Sequence, residues 1–420
     1  MARTIIASLA ALTIAAALFF VGGSQSNGCL WDSDTLRAEA TGAPGMVETI
    51  VGRFDRYPPL YYEMRLDRVT KLLEADPTDH LNNLAAYDDA GVACDRLGRY
   101  DEAIEWMAKK RTALDALPDS DAKTEHEYRY LANLGTFHAH RWLKNGADRS
   151  DMSDIQRARD LVDEAITLNP DAHFGRERYQ LLALEWILKP PAVDNGYYGR
   201  HSSFFTADPQ LELENGYFFL GQANMVGYKD AGEGLAGLVT LGAGWESFDV
   251  FFSLGSALNG NEHASLAQLA WLRAREIVSN GGKSLHPGLS VAGFDPDRVG
   301  DALYDDQRQA ITIFFAQARA EADTWHAART TYITTRLEQG QHPDTHPDFF
   351  DAWVEPSSMP AIPNGFLGYG GSEASILIAL LVLAATGVGV FLALVAIVVT
   401  FLILRAKART QVVPAMSASD

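Results

Sequence analysis

Apolar residues are distributed along this chain in two ways. At the ends they form unbroken runs, Ile5 to Val21 and Ile376 to Leu404; between those runs they recur every three to four residues among polar and acidic positions. The interior spacing is that of amphipathic helices, whose apolar stripe returns once per turn of about 3.6 residues. Helices are predicted at Glu63 to Glu74, ahead of Asp76-Pro77, and as pairs within Asn83 to Leu117, Tyr130 to Pro170 and Phe248 to Ser279. A further pair is expected to start at Asp171 and run to Lys189, where Pro190-Pro191 stops it, and another across Gln307 to Leu337. In the opening stretch Ser33 or Asp34 is placed to cap a short helix.

The terminal runs have a different meaning. Arg3, the first run and then Gly22, Gly23 and Ser24 follow the order of a secretory signal, with cleavage expected near Gly23 or Ser24 and an uncleaved anchor as the alternative. The second run carries no charge until Arg405, and at ~1.5 Å per residue it exceeds the ~30 Å hydrocarbon thickness of a bilayer. It is expected to span a membrane. Arg405, Lys407 and Arg409 follow it at once, which puts the short tail in the cytoplasm and the body outside it. The expected organisation is a signal or anchor (1–24), an N-terminal capping region (29–80), helical repeats (81–189), an aromatic- and Gly-rich insertion (190–240) and further helical repeats (241–340). A Pro/His/Gly-rich stalk (341–373), a transmembrane helix (374–405) and a cytoplasmic tail (406–420) complete it.

Charge narrows the partners. The chain has 35 basic and 54 acidic residues, a net charge of −19, and the body without its basic flanks is more acidic still. Such a surface repels phosphate backbones, so nucleic acid is excluded as a partner. Two cysteines, Cys29 and Cys94, could pair in an oxidising compartment, but Cys94 falls at a core position, where a thiol behaves as a small apolar group.

The paired segments share small-residue spacings. Gly91 precedes Ala103 by twelve residues, with Met107 and Lys110 four and seven further on. Gly255 precedes Ala267 by the same interval, with Trp271 and Ala274 following. A third copy reads Leu134-Gly135 and then Ala158, Val162, Ala165 and Pro170, its turn enlarged by the polar stretch Gly146 to Asp154. In these residues the chain resembles the tetratricopeptide repeat family, which places Leu-Gly, Tyr, Ala, Phe, Ala and Pro at set positions of a helical hairpin. It departs from that pattern with Cys94 and Leu258 where Tyr is usual and Lys110 where Ala is usual. The resemblance implies an all-α fold of stacked hairpins, an α-solenoid, and a non-enzymatic scaffold that binds a protein or peptide partner in its groove. The groove residues it implies lie on the first helices of the hairpins: Asn82, Asn83, Asp89 and Arg96, and Asn133 with His140.

Catalytic chemistry is thin in the sequence. Gly232-Glu233-Gly234-Leu235-Ala236-Gly237 matches a dinucleotide fingerprint in form, yet no strand runs into it, and it reads as a Gly-rich helix or turn. His342 and His346 are each followed by a proline, which keeps them off a helix face, and have no cysteine nearby, so a metal site is not read there. His138 and His140 sit two apart on a helix and point away from each other. No catalytic, cofactor-binding or metal-binding set is assigned. The competing expectation is an enzyme or ligand-binding protein with a pocket formed by residues 197–228 against the repeats, where Arg200 and His201 are the available chemistry.

Overall fold

The computed structural model describes residues 30–35, 44–170, 176–190, 230–241, 244–260, 263–299 and 303–363. The chain divides into two units, Met1–Phe366 and Leu367–Asp420, and every described residue belongs to the first. Both terminal apolar runs and most of the 190–240 insertion lie outside the described residues. Among those described, no helix is long and apolar enough to cross a membrane.

Every regular element among the described residues is helical. In chain order they are α1 (Met46–Val51), α2 (Pro59–Ala75), α3 (His80–Arg96), α4 (Tyr100–Asp115), α5 (Asp121–Lys144), α6 (Ser153–Leu168) and α7 (Arg176–Leu188), then α8 (Ala231–Leu241), α9 (Phe248–Gly260), α10 (Ala264–Ser279) and α11 (Asp305–Glu338). From α2 to α7 each helix packs on the next, and α3 also packs on α5. That second contact sets the first helices of successive hairpins side by side. Further along, α8 packs on α7 and α9, and α9 on α10.

Local chemistry sets the boundaries. Pro59 occupies the first position of α2, where a missing N–H costs nothing. Asp79 caps α3 by accepting from the Asn82 N–H, and Ser120 caps α5 by accepting from Lys123. Gly98 ends the first hairpin's leading helix in the left-handed region (φ 70°), and the Arg99 N–H then returns to the Cys94 carbonyl at 2.8 Å. In the opening stretch the capping side chain is Asp32, which accepts from the Asp34 and Thr35 N–H groups, so the expectation of Ser33 or Asp34 in that role is corrected by one or two positions.

The small-residue spacings are contacts between the two helices of a hairpin. A Cβ on Gly91 would lie 2.9 Å from Met107 Cε, one on Gly135 3.0 Å from Val162 Cγ2, and one on Gly255 2.2 Å from the Trp271 indole nitrogen. In each case the large residue of the second helix lies against the bare backbone of the first. The formal dinucleotide fingerprint falls in α8, where Gly234 packs against the Tyr179 ring.

Three regions differ from expectation. Where a pair is expected across Asp171 to Lys189, the described residues hold a single helix, α7. Residues 305–338 form one helix rather than a pair, because no Gly or Pro interrupts them; at ~1.5 Å per residue α11 is about 51 Å long. It packs on α10, α1 and α2 and so ties the last helices to the first. Arg329 pairs with Asp55 at 2.8 Å, and Arg319 donates to the Val51 carbonyl at 2.6 Å. The segment after α11, expected within a stalk, packs on this body through its first half: Phe349 is buried with Tyr61, Tyr62, Ile333 and Leu337, and His342 is 4% exposed.

Candidate functional site

The site begins with a buried charge pair. Lys110 on α4 is fully buried, and its ammonium donates to both carboxylate oxygens of Asp88 on α3 at 2.6 Å. Burial alone would raise the Asp88 carboxyl, but Lys110 and His126 outweigh it and hold it below its ordinary range. Asp88 is therefore an acceptor only, and it takes one N–H of the Asn133 amide on α5 at 3.0 Å. That contact fixes which way the amide faces. The Asn133 carbonyl oxygen accepts from the Trp31 N–H at 2.7 Å, and its amide nitrogen donates to the Trp31 carbonyl at 3.0 Å. One side chain thus holds both backbone groups of a residue 102 positions away.

What it holds is the segment 30–35, which lies between α3 and α5 and turns from the non-helical Leu30 and Trp31, through a bend at Asp32, into a short helical turn that starts at Ser33. Leu30 enters the core beside Met107, Leu134 and Phe137. Trp31 is 2% exposed and meets Tyr128 edge-on at 5.4 Å, with the Arg129 guanidinium 5.1 Å from its own ring. Ser33 donates to Asp89 from both its backbone and its hydroxyl, each at 2.8 Å.

Arg65 anchors the acidic end of the segment. It sits in the buried stripe of α2 and is fully buried. It donates to Asp34 through two nitrogens at 2.7 and 2.9 Å, to Asp32 at 3.1 Å, and to Asp344 through two nitrogens at 2.7 and 2.8 Å. Its plane lies against the Tyr61 ring, 4.8 Å from the centroid. Arg68 adds a second cation on Asp344 at 2.6 Å. Burial works against charge at every member, and the outcome differs between them. Asp344 is held well below the carboxylate range because its hydrogen bonds to Arg65 outweigh its burial. Asp32 is pushed up to about 7, first by burial and then by the neighbouring Asp34 charge. The His342 ring, lowered by burial, lies with Nε2 3.1 Å from the Tyr61 carbonyl, while its Nδ1 accepts from the Asp344 N–H at 3.1 Å.

The residues expected to line a groove are distributed as follows. Asn133 and Asp89 contact the 30–35 segment directly. Asn83 is buried and donates to the Asp76 carbonyl at 2.7 Å, a local turn contact. Asn82 is exposed in the first turn of α3 and donates to Asp79. Arg96 is half-buried in the last turn of that helix. His140 is 9% exposed and lies 2.8 Å from Asp95. His138 instead meets Asp154, so the two histidines have separate partners. Sequence reasoning missed Arg65, Asp88 and Asp344; for the first two the available signal was a charged side chain in the apolar register of a helix, while Asp344 lies in a turn after α11 and carries no such signal.

Cys94 is buried, and burial pushes its thiol up to about 12; Cys29 lies outside the described residues. Among the described residues no group of three or more His, Cys, Asp or Glu side chains is placed to hold a metal ion. Residues 197–228, expected as an alternative pocket, also lie outside those described. No protein-family model, no curated protein and no solved structure matches this chain.

Proposed function

We propose that this chain is a tetratricopeptide-like helical-repeat scaffold, not an enzyme. In this reading it is anchored in a membrane by residues 374–405, with its body outside the cytoplasm, and it holds a protein or peptide partner between the first helices of its hairpins. One observation carries the reading: the Asn133 amide, oriented from behind by Asp88 and Lys110, grips both the N–H and the carbonyl of Trp31, a non-helical residue. Trp31 is buried outside any helix, so its N–H and carbonyl need a side chain to satisfy them, and an amide placed to do that can serve the main chain of another segment in the same way. Contact with the partner's main chain gives affinity, and the pockets beside it give selectivity.

The reading is tested in native membranes with the full chain carrying a photo-crosslinking side chain at exposed Asn82, compared with the same chain also bearing Asn133→Ala. A protein crosslinked by the first and lost with the second is the expected result. An identical crosslink pattern from both, or no crosslinked protein from either, would sink it.

A further inference from the structure

We infer that the groove between α3 and α5 is a recognition site for one chemical class of peptide: a segment reading apolar, Trp, Asp, Ser or Thr, Asp, whose first Asp caps a helical turn. We further infer that residues 30–35 occupy it in cis as a competitor for such a segment in a partner protein. The inference rests on the scaffold reading and adds the chemistry of its ligand.

Each position of the bound segment meets a matching feature on the body. Leu30 fills an apolar hole, and Trp31 lies between an aromatic edge and a guanidinium. Asp32 and Asp34 share the fork of Arg65, which matches carboxylates in pairs. Ser33 supplies the donors that Asp89 requires.

The machinery behind these contacts does not depend on the segment. Asp88, Lys110 and Asn133 come from three different helices and bind one another directly. Arg65 keeps Asp344 and Tyr61 as partners when Asp32 and Asp34 leave. The clamp is thus organised before any ligand enters it, which is how binding sites limit the cost of association. The acidic body opposes the approach of an acidic peptide, and Arg65 and Arg129 offset that repulsion at the groove itself.

The experiment uses the full chain in detergent and a fluorescent synthetic peptide with the sequence of residues 30–38. Wild-type chain is compared with Trp31→Ala/Asp34→Ala, which weakens the cis segment and leaves the clamp intact; Asp34→Ala alone is a milder second variant. Peptide anisotropy should report binding at least about tenfold tighter to either variant than to wild type, with Asn133→Ala reversing the gain. A peptide with both aspartates replaced by lysine should not bind. Failure of the peptide to bind either variant while both keep helical circular dichroism and a cooperative melt would overturn the inference. So would equal binding of the charge-reversed peptide. Dimerisation of wild-type chain by exchange of residues 30–35 would also overturn it, since the ligand would then be a second copy. If Asn133-dependent crosslinks persist in membranes while the peptide fails, the scaffold reading stands and the ligand chemistry falls.

Discussion

Lys110 and Asp88 show what a single buried charge does in this fold. Replacing Lys110 with Met leaves a carboxylate with no ammonium in a site closed to water, and breaking a buried pair on one side typically costs ~3–5 kcal/mol. Lys110→Met is expected to lower urea-unfolding stability by about that amount, and Lys110→Met/Asp88→Leu to recover much of it. Recovery distinguishes a pair kept for orienting Asn133 from one kept for stability. Asp32 makes a second prediction at this scale. Its carboxyl is raised from 3.8 to about 7 in the folded chain, so the folded state binds a proton that the unfolded state releases. The stability linked to that proton is fully present below the ordinary carboxylate range and is lost as pH rises towards 7. Asp249, raised to about 6 by burial, acts in the same direction. Asp344 is shifted the other way, and its contribution is lost only in stronger acid. His138, His326 and His342, each lowered by burial, act the opposite way over the same range, so the assignment is read as a difference between proteins. As pH falls from 8 to 5 the melting temperature of wild type should rise relative to that of Asp32→Asn, and a difference that does not change with pH would contradict the assignment.

At the scale of elements, the hairpins depend on close contact between a glycine and a large side chain. Gly255 faces the Trp271 indole, which is itself held by donation to the Phe252 carbonyl at 3.2 Å. With the ring anchored, a methyl at position 255 has nowhere to go. Gly255→Ala is expected to cost ~1–3 kcal/mol in urea unfolding, the usual range for overpacking, while Gly255→Ala/Trp271→Phe should cost less than the sum of its parts. This pairing was legible from spacing alone, because a small residue opposite a large one at a fixed interval is a property of two helices in register. Arg65 and Lys110 were harder to read. Each lies on the buried stripe of its helix, Arg65 between Tyr61 and Val69, and Lys110 between Met107 and Ala113. A period that scores only apolar residues passes over them. The same blindness hid the role of 30–35, six residues that belong to no helix pair and find hydrogen-bond partners on the body 27 to 102 positions away.

At the scale of the whole molecule, the basic flank after Leu404 and the length of the run before it lead to a cell-level prediction. Chain 25–363 should leave the membrane fraction on carbonate washing, and chain 25–420 should stay in it; release of both would count against the anchor. The sequence by itself determined the helical class, the helix pairs within 83–117, 130–170 and 248–279, the acidic surface and the core position of Cys94. These follow from periodicity, turn chemistry and composition, which act over a few residues and need no knowledge of what lies opposite. Only the tertiary structure decided that α11 is one helix packed on both the last and the first helices, that the segment after it belongs to the body, and that Asn133 and Asp89 close on the chain's own residues 30–35. Those outcomes turn on which distant surfaces meet and which buried charges find partners, and the free energy of such contacts exists only once the chain has brought them together.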